Sequence, residues 1–181
     1  MTARIFIAIP HAGRAVPAEL KARLQSNLAA PDLLAQSDAY TDRVFEGLGT
    51  PTQTFPWSRL LIDVNRSPEQ LDASGAVPSV DFDMRELYER GETPNKPERL
   101  KLLQDYHEPY HRELGSALDQ GRIDLFIDGH SMAQSAPARS PDAGQLRPLA
   151  ILGNGGDERG ELSSDQRPLS CPPAFARQAQ H

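Results

Sequence analysis

Short apolar, β-branched runs divide the chain into predicted strands. Four such runs stand at Ile5–Ile9, Leu60–Val64, Leu125–Ile127 and Leu149–Leu152, and each is followed by polar or turn-forming residues. Continuous apolar runs of this length are typical of strands that are buried on both faces. We therefore predict four strands in the interior of the protein.

Helical patterns lie between the predicted strands. One opens at Pro17 with leucines at four-residue spacing, a second runs from Ser37 as its N-cap to Leu48, and the longest runs from about Pro97 to Leu118, before Gly121. Strands that alternate with helices predict an α/β fold with a largely parallel sheet. In such folds, functional sites gather at the carboxyl ends of the strands.

Three further segments lack a helix or strand pattern. Ser67–Pro78 and Met132–Pro148 have the composition of long surface loops, and Gly153–His181 shows no strong apolar period. A length of 181 residues still favours one domain with a substantial apolar core. We expect a single domain over residues 1–181.

Composition excludes several classes of function. The formal charge is -6 and no basic block is interleaved with aromatic residues, so we expect no nucleic acid partner. The apolar runs are too short to cross a bilayer, which predicts no membrane association and a cytoplasmic location. The one cysteine, Cys171, leaves histidines and carboxylates as the ligands of any metal.

Two histidines follow predicted strands. His11 comes directly after the first strand and His130 closely follows the third, each near a glycine. Two imidazoles at neighbouring strand ends suit a hydrolytic zinc site, because neutral nitrogens bind this metal and leave a position for water. The alternative is that each histidine makes only local hydrogen bonds.

A carboxylate is needed as the third ligand. Asp38 and Asp42 lie four residues apart, which would put them on one face of a helix near its start. We take Asp38 as the first choice and Asp42 as the alternative. The alternative is that both carboxylates only interact favourably with the helix dipole and form surface ion pairs.

Arginines flank the second predicted strand. Arg59 precedes it, and Asn65 and Arg66 follow it. A planar guanidinium binds a carboxylate through two charge-assisted hydrogen bonds, so these side chains suit an acidic substrate, although a surface ion pair is the commoner role. Asp128 lies two residues before His130, where it could orient that ligand.

The segment His107–His111 reads HEPYH and matches the HExxH pattern of zinc proteases. That pattern needs an unbroken helix to stack its two imidazoles. Pro109 removes a backbone donor and clashes with the carbonyl of Asp105, which kinks the turn. We therefore keep a zincin-like protease only as a minor alternative.

Five strings together resemble the N-formylglutamate amidohydrolase family, in the same order and at similar spacing. They are IPHAG at residues 9–13, SDAYTD at 37–42, SRLLIDVNR at 58–66, PYH at 109–111 and DGHS at 128–131. The resemblance implies a zinc-exopeptidase-like fold, a three-layer α/β/α sandwich with a mostly parallel or mixed sheet. It also implies hydrolysis of an N-acyl group from an acidic amino acid, with a place in histidine degradation.

The resemblance also implies roles for particular residues. One Zn²⁺ ion would be held by His11, His130 and a carboxylate. The residues that would bind the substrate are Arg59, Asn65, Arg66 and His111. Carboxypeptidase-like proteins place the acidic ligand three residues after the first histidine, where this chain has Arg14, so the carboxylate is sought at Asp38 or Asp42.

The family pattern usually continues into strands that carry a catalytic glutamate, and we expect this chain to lack them. Glu158 and Glu161 are the weak candidates left for a general base. The partner expected is a small N-acyl amino acid, with a homo-oligomer left open. A non-catalytic remnant that binds an acidic small molecule or a partner through the same cleft is the competing hypothesis.

Overall fold

The computed structural model describes residues 4–26, 28, 30–121, 123–136, 143–157, 159–163 and 168–178. The chain divides into two compact units, Met1–Met132 and Ala133–His181. The helices and strands follow in chain order: β1 (Ile5–Ile9), α1 (Ala18–Lys21), α2 (Ala30–Ala35), α3 (Thr41–Phe45), β2 (Thr52–Thr54), α4 (Lys96–Leu102), a π turn (Leu103–His107), α5 (Glu108–Gly121), β3 (Leu125–Asp128) and α6 (Pro173–Gln178).

A three-stranded sheet forms the centre of the first unit. Its strand order is β2-β1-β3, and both pairings are parallel, with Ile7 opposite Thr52 on one side and Ile127 on the other. The predicted α/β class with a parallel sheet is confirmed. Since β1 and β3 are parallel neighbours, their carboxyl ends meet at the same edge of the sheet.

Two predicted strands are wrong. Leu60–Val64 is buried as expected, but its backbone turns: the N–H groups of Leu61 and Ile62 both return to the carbonyl of Ser58. Leu149–Leu152, in the second unit, is irregular and its leucines are exposed. An apolar run becomes a strand only where a neighbouring strand completes its hydrogen bonds, and apolar content alone does not reveal that neighbour.

The helices of the structure agree with the predicted ones to different extents. The first is limited to α1, and the second begins only at Thr41, four residues after the predicted cap. The long helix is confirmed from residue 96 to 121, where Asn95 and Glu98 form a reciprocal capping box at its start. No helix within the described ranges has the length and hydropathy needed to cross a membrane.

The core of the first unit lies between the long helix and the irregular segments after β2. Arg99 of α4 is buried and donates to the carbonyls of Leu71, Asp72 and Val77, which anchors the predicted loop 67–78 to the helix. Leu61, Ile62 and Val77 are essentially inaccessible to solvent. The segments that follow β2 are therefore fixed in position without being regular strands.

Candidate metal centre

The carboxyl ends of β1 and β3 bring the two predicted histidines together. The ring centroids of His11 and His130 are 5.0 Å apart. The backbone N–H of Gly129 donates to the carbonyl of Ala8, so the chain leaving β3 stays beside β1. A Cβ on Gly129 would lie 2.6 Å from the ring of Phe45, and glycine is the residue that fits there.

Asp38 completes a cluster of three potential ligands. Its Oδ2 lies 2.7 Å from His130 Nδ1 and 3.7 Å from His11 Nδ1. The ligand atoms of all three residues lie within 4.8 Å of one another. In a tetrahedral zinc site with bonds of about 2.0–2.1 Å, neighbouring ligand atoms are roughly 3.4 Å apart. Small shifts of the three side chains would bring their ligand atoms to this spacing.

The backbone fixes Asp38 in front of β1. Its N–H donates to the carbonyl of His11, and its own carbonyl accepts from the hydroxyl of Thr41 at 2.8 Å. Ser131, just after β3, donates its hydroxyl to the carbonyl of Ala39. Hydrogen bonds from both strand ends thus hold the segment that carries the carboxylate.

His11 has the hydrogen-bonding pattern of a metal ligand. Its Nε2 lies 2.8 Å from Asp63 Oδ1, and because a carboxylate accepts, Nε2 carries the hydrogen. The other nitrogen, Nδ1, is buried without a hydrogen-bond partner and faces Asp38. A buried lone pair opposite a carboxylate is unfavourable unless a cation lies between them, so this geometry fits a bound metal.

His130 lies on the more exposed side of the cluster, and its Nδ1 is hydrogen-bonded to Asp38. Its Nε2 lies 3.2 Å from Asp128 Oδ2, and Asn65 Nδ2 donates to that same oxygen at 3.2 Å. Hydrogen bonds with Asp128 and Asp38 outweigh burial and raise the pKa of His130 to about 9. Nδ1 of both imidazoles therefore faces Asp38. Nε2 of His11 donates to Asp63, whereas Nε2 of His130 lies 3.2 Å from both Asp128 Oδ2 and the amide nitrogen of Asn65.

Arg59 joins the carboxylates of Asp38 and Asp63. It donates to Asp38 Oδ1 and to Asp63 Oδ2, each at 3.0 Å. Burial tends to raise the pKa of both acids, but hydrogen bonds with the histidines and the charge of Arg59 outweigh it. The pKa of Asp63 falls to about 2, and that of Asp38 lies well below its ordinary value.

An open cleft of about 590 Å³ adjoins this cluster. Asn65 and Arg66 line it together with the histidines of the long helix, His107 and His111. The guanidinium of Arg66 is about half exposed, and its Nε lies 3.9 Å from Asp63 Oδ2. The two predicted groups of residues, for metal and for substrate, are therefore adjacent through Asn65 and Arg66.

The remaining predicted site residues are Asp42, Glu158 and Glu161. Asp42 is exposed in the first turn of α3, and Asp38 precedes that helix, so the prediction that the two share a helical face is wrong. Glu161 belongs to the second unit, where it forms an ion pair with Arg177 at 2.6 Å. Glu158 lies outside the described residues.

Asp63 was not among the predicted site residues. It is buried and contacts His11, Arg59 and the backbone N–H of Asn65. The available signal was its place inside the SRLLIDVNR string, directly after an apolar run. Its partner His11 is 52 residues away in the chain, so spacing gave no indication of the contact.

Comparison with known proteins gives matches of sequence and fold. The sequence model of the family described as N-formylglutamate amidohydrolase matches residues 3–181. N-formylglutamate deformylase of Pseudomonas aeruginosa is 29% identical over 154 residues, which are 76% of this chain and 57% of that protein. N-formylglutamate deformylase of Pseudomonas putida is 27% identical over 146 residues, 74% of this chain and 53% of that protein.

A solved structure has a similar fold. The crystal structure of N-formylglutamate amidohydrolase from Ralstonia eutropha JMP134 superimposes with a TM-score of 0.64 and 22% identity, covering 84% of this chain and 61% of that one. At this identity the likeness concerns the fold. The chain spans a little more than half the length of the curated relatives it matches.

Proposed function

Since the chain belongs to the N-formylglutamate amidohydrolase family, we propose that it hydrolyses the amide of an N-formyl or N-acyl acidic amino acid such as N-formyl-glutamate. We propose one Zn²⁺ ion as its cofactor, held by His11, Asp38 and His130. The observation that carries the proposal is the buried, unpartnered Nδ1 of His11, which faces a carboxylate beside an open cleft. A three-layer, exopeptidase-like arrangement of the complete family fold belongs to the same proposal.

Zinc in this position would supply Lewis-acid activation for attack of water on the amide carbonyl. The residues of the chain provide the orientation. Asp63 holds His11 in the tautomer that offers Nδ1, Asp128 lies beside Nε2 of His130, and Arg59 fixes the carboxylates of Asp38 and Asp63 relative to each other.

Arg66 is the residue that we assign to the substrate carboxylate. Its guanidinium is about half exposed, lines the cleft and lies beside the metal cluster. Two parallel N–H donors match a carboxylate geometrically, and Asn65 and His111 line the same cleft. Arg59 was predicted to share this role, but its contacts with two aspartates support a positioning role instead.

Hydrolysis breaks the C–N bond, adds water to the acyl carbon and transfers a proton to the leaving amine. We assign no residue of this chain to that proton transfer. Zinc protease activity is not favoured, because the family match points to N-formylglutamate hydrolysis, and because His107 and His111 donate to backbone carbonyls. Cytoplasmic location, self-association and the lack of a nucleic acid partner stay predictions.

Metal analysis combined with formate release tests the proposal. Purified wild type should hold about one zinc per chain and release formate from N-formyl-glutamate, whereas His11→Ala should lose both. Asp42→Ala is the matched control, since Asp42 is exposed and outside the cluster, and it should retain both. Wild type that binds no zinc would contradict the metal assignment, and zinc-loaded protein that releases no formate would favour the non-catalytic binding remnant.

Arg66→Ala tests the substrate assignment separately. Loss of a charge-assisted, bidentate contact of roughly 1.5–3 kcal/mol should lower kcat/KM for N-formyl-glutamate by about 10- to 100-fold. A neutral formamide such as N-formyl-butylamine lacks the carboxylates, so its rate should not change in the variant. Equal losses on both substrates would remove Arg66 from the carboxylate site.

A further inference from the structure

Neither histidine of the HEPYH string at residues 107–111 belongs to the cluster of potential metal ligands, yet both imidazoles form hydrogen bonds. His107 Nε2 lies 3.0 Å from the carbonyl oxygen of Arg66, and His111 Nε2 lies 2.8 Å from that of Val64. A carbonyl oxygen can only accept, so each Nε2 carries a hydrogen and donates it. The pair therefore binds the backbone on both sides of Asn65.

The long helix is built in a way that keeps both rings on one face. Residues four apart on a helix are neighbours, and the ring centroids of His107 and His111 are 4.6 Å apart. Pro109 between them lacks an N–H, and the preceding π turn, in which the N–H of Glu108 donates to the carbonyl of Leu103, widens the helix there. The widened turn takes up the distortion that proline causes, so the helix continues through both histidines.

The segment between the two contacts carries the residues that connect the metal cluster to the cleft. The N–H of Asn65 donates to Asp63 Oδ1, which is the oxygen that also accepts from His11. The Asn65 amide donates to Asp128, and Arg66 lines the cleft. The backbone of this segment is thus held by the helix on one side and by Asp63 on the other.

We propose that His107 and His111 form a clamp on the backbone of Val64–Arg66, and that this clamp positions Asn65 and Arg66 for an anionic substrate. The two histidines are positioning residues in this assignment, since each acts through the carbonyl it binds. The inference rests on the proposed function in one respect, namely that Arg66 receives the substrate carboxylate. Burial lowers the pKa of His107, which is consistent with a neutral ring that has a single N–H donor.

A series at His111 tests the clamp, because this residue is exposed and its replacement leaves the core intact. His111→Leu removes the donor, His111→Gln keeps a donor at a similar reach, and Arg112→Leu is the control at the next exposed position of the same helix. Loss of one neutral hydrogen bond should raise KM for N-formyl-glutamate about 3- to 10-fold, with kcat and zinc content nearly unchanged. His111→Gln should recover most of the loss, and Arg112→Leu should match wild type.

Simple destabilisation would lower the active fraction and hence kcat, leaving KM unchanged. A KM that does not rise in His111→Leu, or that rises equally in Arg112→Leu, would overturn the clamp. Loss of zinc in His111→Leu would overturn it as well, since the histidine would then act as a ligand.

Nitrogen-15 NMR of the imidazoles in the full chain gives a second test that needs no activity. We expect both His107 and His111 in the Nε2–H form with slowly exchanging protons, and no change on addition of zinc. In contrast, Nδ1 of His11 and His130 should shift. Absence of formate release would refute the proposed function alone, whereas Nδ1–H tautomers or zinc-dependent shifts at His107 and His111 would refute the clamp.

Discussion

Asparagine at position 63 should weaken zinc binding without removing any proposed ligand. One oxygen of Asp63 accepts from His11 Nε2 and from the Asn65 backbone, and the other accepts from Arg59 at 3.0 Å. An amide has only one acceptor oxygen. If that oxygen faces His11, the NH₂ group opposes a donor of Arg59; if it faces Arg59, the NH₂ group opposes His11 and drives its hydrogen onto Nδ1.

The size of the effect follows from the first arrangement, because it keeps two of the hydrogen bonds to Asp63. The imidazole then keeps the correct tautomer but loses the negative charge that increases its basicity. Changes in residues that support a metal-bound histidine typically reduce metal affinity by about 10- to 100-fold. That range corresponds to about 1.4–2.7 kcal/mol, and we expect Asp63→Asn to lie within it.

Competition with a chromophoric chelator measures the zinc affinity of each variant at a temperature where all are folded. Asp81→Asn is a matched control, because Asp81 is equally buried and is also paired with an arginine four residues away, yet it bonds to Gln36 and Arg85 rather than to an imidazole. Wild-type affinity in Asp63→Asn, or an equal loss in Asp81→Asn, would refute the supporting role of Asp63.

Two further outcomes test the packing and electrostatics around the site. Gly129→Ala would place a methyl group 2.6 Å from the Phe45 ring and 3.2 Å from the Ala8 carbonyl, so we expect the free energy of unfolding to fall by about 1–3 kcal/mol in denaturant titration; an unchanged midpoint would contradict the close packing. Hydrogen bonds from Gln36 and Arg85 outweigh burial and lower the pKa of Asp81 below its ordinary 3.8, so its contribution to stability is complete above that value and is lost as pH falls through the lower, folded-state pKa. Asp81→Asn should accordingly show a shallower loss of stability between about pH 5 and pH 2 than wild type, and parallel curves would contradict that contribution.

The fold was predictable from sequence where apolar runs pair with neighbouring strands. Ile5–Ile9 and Leu125–Asp128 are such runs, and the histidines that follow them lie together because parallel neighbours end at one edge. The prediction that Leu125–Ile127 is fully buried is wrong, since β3 is an edge strand and Phe126 is exposed. Thr52–Thr54 could not be predicted, since this edge strand is polar and half exposed. Leu60–Val64 was predicted to be buried and is buried, but burial of every residue does not distinguish a strand from a compact turn.

The site was predictable only where a residue's role follows from its position along one element. Asp38 was the first choice over Asp42, and it lies beside the two histidines through a hydrogen bond from its N–H to the His11 carbonyl, which spacing does not encode. The same holds for the HEPYH string. Its spacing suggested ligands, whereas the carbonyls that its histidines bind come from a segment more than forty residues earlier.

The charge of the cluster couples metal binding to the protonation of His130. Asp38, Asp63 and Asp128 contribute three negative charges, and Arg59 and Arg66 contribute two positive charges. With both imidazoles neutral, one negative charge remains in a partly buried site, which is unfavourable without compensation. The raised pKa of His130 offsets it through a proton. A cation held by His11, Asp38 and His130 would have to replace that proton, because an imidazole binds metal in its neutral state.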